Sequence, residues 1–119
     1  MHFSVFFTLM EQVEHEMLRS IGLSVMQAED NSSTIGWPRV SARCDYKSSV
    51  RFEDEIDIAM SVSHIGSKSV KYRFEFHCDD RQVAVGEIAA VCCRIDSEHN
   101  ITSIEIPQIY REKLELYGE

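Results

Sequence analysis

Two carboxylates on one helical segment are the first residues in this sequence that could do chemistry. The segment runs from Phe3 to Ser20, and its apolar side chains fall on one arc when placed at about 100° per residue. Glu14 falls near the middle of that arc and Glu11 at its edge. A partly buried carboxylate beside apolar groups suits a base or a nucleophile, so Glu11 is a candidate catalytic residue. A supporting carboxylate or a contact between subunits is the other interpretation.

Glu14 favours a structural interpretation instead. Because it falls inside the apolar arc, we predict that it is buried against a basic residue such as Arg43 or Arg39. His2 and His15 could assist a proton transfer, although a lone histidine is more often structural or exposed.

Alternation of apolar and polar residues predicts strands after this helix. Gly22 to Ser33 is predicted to be a polar connection, Gly86 to mark a bulge or a bend, and Pro107 to open a short C-terminal helix. The predicted strands are Arg39–Tyr46, Ile56–Val62, Val70–Cys78, Val83–Ile95 and Ile104–Ile106. These elements predict one α+β domain over residues 1–119, with a curved antiparallel sheet of about five strands wrapped around one long N-terminal helix.

Composition excludes several classes of function. The net charge of −8 and the dispersed Lys and Arg residues argue against nucleic-acid binding. No apolar run approaches the roughly 20 residues that cross a membrane, and the first residues lack the features of a signal peptide. The cysteines form no CxxC pair and no zinc-ligand spacing, so we expect free thiols, no metal and a reducing cytoplasm. They are Cys44, Cys78, Cys92 and Cys93.

Three motifs occur in an order that is similar to a known family. HFSVFF-x3-E begins at His2, Tyr46 is followed by VRFED from Val50, and IGSKS begins at Ile65. Together they resemble the hotdog-fold acyl-CoA thioesterases of the 4-hydroxybenzoyl-CoA thioesterase type, over nearly the whole chain. The resemblance implies a hotdog fold and hydrolysis of an acyl-CoA to a free acid and coenzyme A, without a cofactor. It also implies a homodimer or homotetramer with sites between subunits.

The resemblance implies roles for residues on and before the helix. The backbone N–H of Phe3 occupies the position of the oxyanion donor, and His2 adjoins it. Phe3 would at the same time pack its ring in the core. A second branch of these enzymes carries its catalytic carboxylate about two turns further along the helix, where this chain has Glu11.

The resemblance also implies a coenzyme A site on the loops. Arginine and lysine pair with phosphate, and serine can bond the amides of the pantetheine arm. Ordinary solvated surface residues are the other interpretation. The candidates are Arg51, Lys68 and Ser69.

One departure from the family pattern affects the expected function. The family's acidic residue lies a few positions upstream of the helix, and in this chain that position falls before Met1. We therefore expect the coding sequence to start further upstream, and an in-frame stop codon directly before Met1 would contradict this. Two alternatives to an enzyme follow: a non-catalytic module that binds acyl-CoA or acyl-carrier protein, and a purely structural subunit.

Overall fold

One long helix, eight strands and a short second helix make up the described part of the chain. The computed structural model describes residues 4–22, 26–28, 33–51 and 54–118. In chain order the elements are α1 (Ser4–Ser20), β1 (Met26–Ala28), β2 (Ser33–Gly36), β3 (Arg39–Tyr46), β4 (Asp57–Ile65), β5 (Ser69–Cys78), β6 (Arg81–Val91), β7 (Cys93–Asp96), β8 (Ile101–Ser103) and α2 (Gln108–Glu115).

The strands form two antiparallel sheet sections, and two pairs of consecutive strands connect one section to the other. One section has the order β3-β6-β5-β4 and the other β1-β2-β7-β8. Strand β2 is followed by β3 after Trp37 and Pro38, and β6 is followed by β7 after Cys92. The Val91 N–H donates to the Pro38 carbonyl over 3.0 Å at this junction. The predicted helix on an antiparallel sheet is confirmed.

The core lies between α1 and the inner face of the sheet. Every second side chain of β5 is buried, as expected for a strand with one face on the core. Strand β6 lies between β3 and β5 and is buried along most of its length, which confirms it as a central strand. The buried residues of α1 are Phe6, Met10, Glu14, Met17 and Leu18.

Three strand predictions were wrong in detail. The segment predicted to be a polar connection contains β1 and, from Ser33, the start of β2. These strands were not predicted because three or four residues are too few to show an alternating pattern. The predicted fourth strand divides at Cys92 into β6 and β7. The last strand is β8 rather than Ile104–Ile106, although the N–H groups of Ile104 and Ile106 donate to the carbonyls of Cys92 and Ser67.

Gly86 does not mark a bulge, because its backbone stays in register with Cys44 on β3 and Phe74 on β5. Its role is to let α1 approach the sheet. A Cβ atom on Gly86 would overlap Met10 Sδ and lie 3.2 Å from Met10 Cε and 3.4 Å from the Arg43 carbonyl oxygen. Met10 is completely buried, so its side chain has little room to move away.

We expect Gly86→Ala to lower the free energy of unfolding by about 1–3 kcal/mol, because the added methyl overpacks the core at Met10. Shortening that side chain in Met10→Ala should relieve the overlap. The loss in the double variant should then be smaller than the sum of the two single losses. Urea denaturation of the four proteins measures this, and strictly additive losses would contradict it.

Candidate functional site

The first turns of α1 lie against the ends of β3 and β5. The buried Phe6 ring packs edge-to-face on the rings of Tyr46 and Phe76, with distances between ring centroids of 5.0 Å and 5.1 Å. Tyr46 and Phe76 are both in register with Ala84, so they mark one level of the sheet. We call this level the Tyr46 end. The helix begins here, so its amide donors and the positive end of its dipole lie at the Tyr46 end.

Of the three predicted catalytic residues, Glu11 lies on α1, within the described part of the chain. Phe3 and His2 lie outside the described residues, so their roles stay predictions. Glu11 is exposed, and the expected partial burial is therefore wrong for a single chain. A sheltered thioester site that uses Glu11 would need a further surface to cover it.

The three predicted coenzyme A contacts lie at two ends of the sheet. Ser69 begins β5 opposite Val91, and the Lys68 carbonyl accepts the Cys92 N–H over 2.7 Å. Arg51 instead follows β3 at the Tyr46 end, and the Lys47 N–H donates to Val83 there. Strand β5 spans ten residues between the two ends, which is about 30 Å.

One chain therefore does not bring Arg51 together with Lys68 and Ser69. Arg51 lies at the end of the sheet where α1 begins, whereas Lys68 and Ser69 lie toward the end of α1. Arg51 and Lys68 are exposed and Ser69 is half-buried.

Sequence reasoning missed Arg81, which holds the segment before Arg51. Its Nη1 donates to Ser48 Oγ over 2.6 Å and to the Ser49 carbonyl over 2.7 Å, and its Nη2 lies 3.7 Å from Asp54 Oδ2. The same Asp54 oxygen accepts the Arg51 N–H over 2.8 Å. The only sequence signal was the Arg51 to Asp54 motif, which does not point to residue 81.

Toward the other end of α1, Glu14 forms a buried ion pair with Arg39, as predicted. The Arg39 guanidinium Nη2 contacts Glu14 Oε1 and also lies 3.1 Å from His15 Nε2. Since a guanidinium only donates, His15 Nε2 accepts this bond. Arg43, the other predicted partner, instead pairs with Glu87 over 3.3 Å.

Burial governs the titration of this ion pair. Desolvation raises the pKa of the Glu14 carboxyl from its ordinary value of 4.5, and the Arg39 guanidinium only partly opposes this. Desolvation, reinforced by the Glu14 charge, also raises the pKa of Tyr72, so its phenol stays neutral. Together with its distance from the Tyr46 end, this supports the structural interpretation of Glu14.

Cys44 is a nucleophilic side chain near the Tyr46 end, and it is a poor nucleophile. Desolvation raises the pKa of its thiol, and the hydrogen bond with Tyr46 lowers it by less. Because the thiolate is the reactive form, a raised pKa leaves Cys44 unreactive near neutral pH. Cys44 and the three buried cysteines, Cys78, Cys92 and Cys93, are free thiols.

The outer face of the sheet carries a small polar cavity. Its volume is about 120 Å³, which is below the roughly 300–1,000 Å³ of small-molecule sites. Its lining residues are Arg43, Asp45, Ser63, Arg73, Val85, Gly86 and Glu87. This cavity is too small for a coenzyme A thioester.

Within the described ranges of the chain, no three His, Cys, Asp or Glu side chains are grouped to hold a metal ion. Neither of the two helices in these ranges is long and apolar enough to cross a membrane.

Comparisons with known proteins agree with this architecture. A family model described as "Thioesterase-like superfamily" matches residues 1–114. A comparison with curated proteins found no significant match.

Solved structures similar to this chain include three thioesterases. The Dynemicin thioesterase is 17% identical with a TM-score of 0.83, covering 99% of this chain and 84% of its own. A gentisyl-coenzyme A thioesterase is 21% identical with a TM-score of 0.75, and the match covers 95% of this chain and 85% of the thioesterase. A 1,4-dihydroxy-2-naphthoyl-CoA thioesterase from Synechocystis is 15% identical with a TM-score of 0.76, and the match covers 95% of this chain and 81% of the thioesterase. At these identities the likeness shows a shared fold, and the predicted hotdog fold is confirmed.

When pH rises from about 4 to 8, Glu14 loses its proton, and we expect the native chain to become progressively less stable relative to Glu14→Gln. The raised pKa means that the folded chain holds this proton more tightly than the unfolded chain. The resulting stability is present below 4.5 and is lost as pH rises through the folded-state pKa. Urea denaturation of both proteins at several pH values measures the difference. A difference that grows in favour of the native chain would mean that Arg39 lowers this pKa.

Proposed function

Since the chain belongs to the thioesterase-like superfamily, we propose that it hydrolyses an acyl-CoA thioester to a free acid and coenzyme A. The observation that carries this proposal is the family match over residues 1–114. Two of the similar structures are thioesterases that act on aromatic acyl-CoA compounds, which supports coenzyme A as the carrier. We expect a cytoplasmic enzyme, because free buried thiols fit a reducing compartment.

In the proposed reaction, water attacks the thioester carbonyl carbon and the C–S bond breaks. Glu11 takes the proton of the attacking water, and the Phe3 N–H donates to the oxyanion at the start of the helix. His2, next to Phe3, assists the return of a proton to the leaving thiolate. The products are a carboxylic acid and the coenzyme A thiol, and no redox step or cofactor is involved.

We also propose that two copies of the chain form each site, as a homodimer or a dimer of dimers. In the described part of the chain, β3 pairs only with β6, and its other edge is open. An open edge strand is a template for a strand of another chain. The exposure of Glu11 supports this arrangement, because a second copy would supply the missing cover.

Antiparallel pairing of β3 with β3 of a second copy would also bring the proposed coenzyme A contacts at the two ends of the sheet close to each other. It reverses one copy relative to the other, so the Lys68 end of one chain faces the Tyr46 end of its neighbour. Arg51 of one copy, with Lys68 and Ser69 of the other, could then contact one coenzyme A. We propose phosphate contacts for Arg51 and Lys68 and a pantetheine contact for Ser69.

We expect Glu11→Gln to lower kcat/KM for the best acyl-CoA by about 100-fold or more, because it removes the proposed base. The assay is thioester hydrolysis over a panel of aliphatic and aromatic acyl-CoA compounds. Glu16→Gln is the matched control, since Glu16 is an exposed carboxylate on the same helix. Equal activity of Glu11→Gln and the native chain would exclude Glu11 as the base.

The same panel separates the other two functions. Coenzyme A binding by calorimetry without turnover of any thioester would favour the non-catalytic binding module. Neither binding nor turnover would favour the structural role.

We expect Val40→Lys to convert the dimer to a monomer and to abolish turnover, because a lysine on the β3 edge opposes strand pairing. Val40 is 63% exposed on β3, and Ile101, 65% exposed on β8, provides the control Ile101→Lys. Sedimentation velocity gives the oligomeric state of each variant. A Val40→Lys protein that stays dimeric, or a native monomer with full activity, would contradict pairing through β3.

A further inference from the structure

The guanidinium of Arg81 ties two separate parts of the chain together at the Tyr46 end. Arg81 begins β6, opposite Cys78 at the end of β5. It donates to Ser48 Oγ and the Ser49 carbonyl, both in the segment that follows β3. One planar guanidinium therefore connects this segment to the start of β6.

Asp54, which follows Arg51 in the chain, binds the backbone of Arg51. Its Oδ2 accepts the Arg51 N–H over 2.8 Å, and the Asp54 N–H donates to the Arg51 carbonyl over 3.1 Å. The Arg51 backbone is therefore bonded to Asp54 through both its N–H and its carbonyl, and Asp54 Oδ2 in turn lies 3.7 Å from Arg81 Nη2.

The Arg51 side chain is not used by this network. It is exposed and forms no ion pair or hydrogen bond with any residue in the described ranges, so within these ranges only the Arg51 backbone is held. The Arg81 and Asp54 side chains are themselves 44% and 27% exposed. Ion pairs at that level of exposure contribute little to global stability, so the network mainly sets the local conformation.

We propose that Arg81 and Asp54 are positioning residues, which hold the backbone of Arg51 so that its guanidinium meets the nucleotide phosphates of the acyl-CoA. This inference rests on the proposed function and identifies what organises its nucleotide contact. Without the network the segment can rotate Arg51 away from the ligand, and part of the binding energy is lost in ordering it again. The acyl group and the reacting carbonyl are not affected.

The experiment compares two substrates with the same acyl group, an acyl-CoA and the matching acyl-pantetheine, which lacks the nucleotide. Arg81→Gln should raise KM for the acyl-CoA about 3- to 10-fold, which is the cost of ordering one long side chain on binding. It should leave kcat, and both constants for the acyl-pantetheine, unchanged. Asp54→Ala should give the same selective increase. Arg73→Gln is the matched control, since Arg73 is 43% exposed and also pairs with a carboxylate, Glu75.

A double variant separates positioning from a direct contact. If Arg81 acts through Arg51, the further increase in KM on adding Arg81→Gln to Arg51→Gln should be small. Independent, multiplicative effects of the two substitutions would overturn the inference. Equal effects of Arg81→Gln on both substrates would overturn it as well, because they would indicate a general structural role.

Failure of the inference and failure of the proposed function give different results. An active native chain in which Arg51→Gln, but not Arg81→Gln, weakens acyl-CoA use would refute the positioning role alone. A native chain that neither hydrolyses the two substrates nor binds coenzyme A would refute the proposed function, and the inference with it. If coenzyme A binds without turnover, the dissociation constants of coenzyme A and pantetheine replace KM in the same comparison.

Discussion

The close contact of α1 with the inner face of the central strands is the constraint on which the rest of the structure depends. Alternate residues of β5 present an almost continuous apolar face, and the helix buries Phe6, Met10 and Leu18 toward the core. The backbones can approach only because Gly86 has no side chain beneath Met10. This contact also fixes the direction of the helix, so its N-terminal amides are at the Tyr46 end of the sheet.

The same packing makes β3 serve two purposes. Its last residue, Tyr46, supports the Phe6 ring, and its first residue, Arg39, neutralises the buried Glu14. A carboxylate in this position would otherwise be costly to bury, and the arginine supplies the countercharge from the neighbouring strand. Strand β3 therefore holds α1 through one face, while its outer edge remains open in the described part of the chain.

Separation along the sheet organises the charged residues into two groups. Arg51, Arg81 and Asp54 cluster at the Tyr46 end, and Lys68 and Ser69 lie about 30 Å away at the far end of β5. A ligand that uses both groups has to meet two copies of the chain, whereas one that uses Arg51 alone does not. The network around Arg81 gives the segment that carries Arg51 a defined backbone.

The sequence alone determined the features that depend on local periodicity. These include the N-terminal helix, described here as Ser4–Ser20, the strand Arg39–Tyr46 and the burial of Glu14 against a basic residue, because each follows from which face a side chain occupies. Strands as short as β1 carry no period and were missed. The exposure of Glu11, the distance between Arg51 and Lys68, and the Arg81 contacts were decided only by the tertiary structure. Each depends on how segments far apart in the chain are placed relative to one another, which the order of residues does not express.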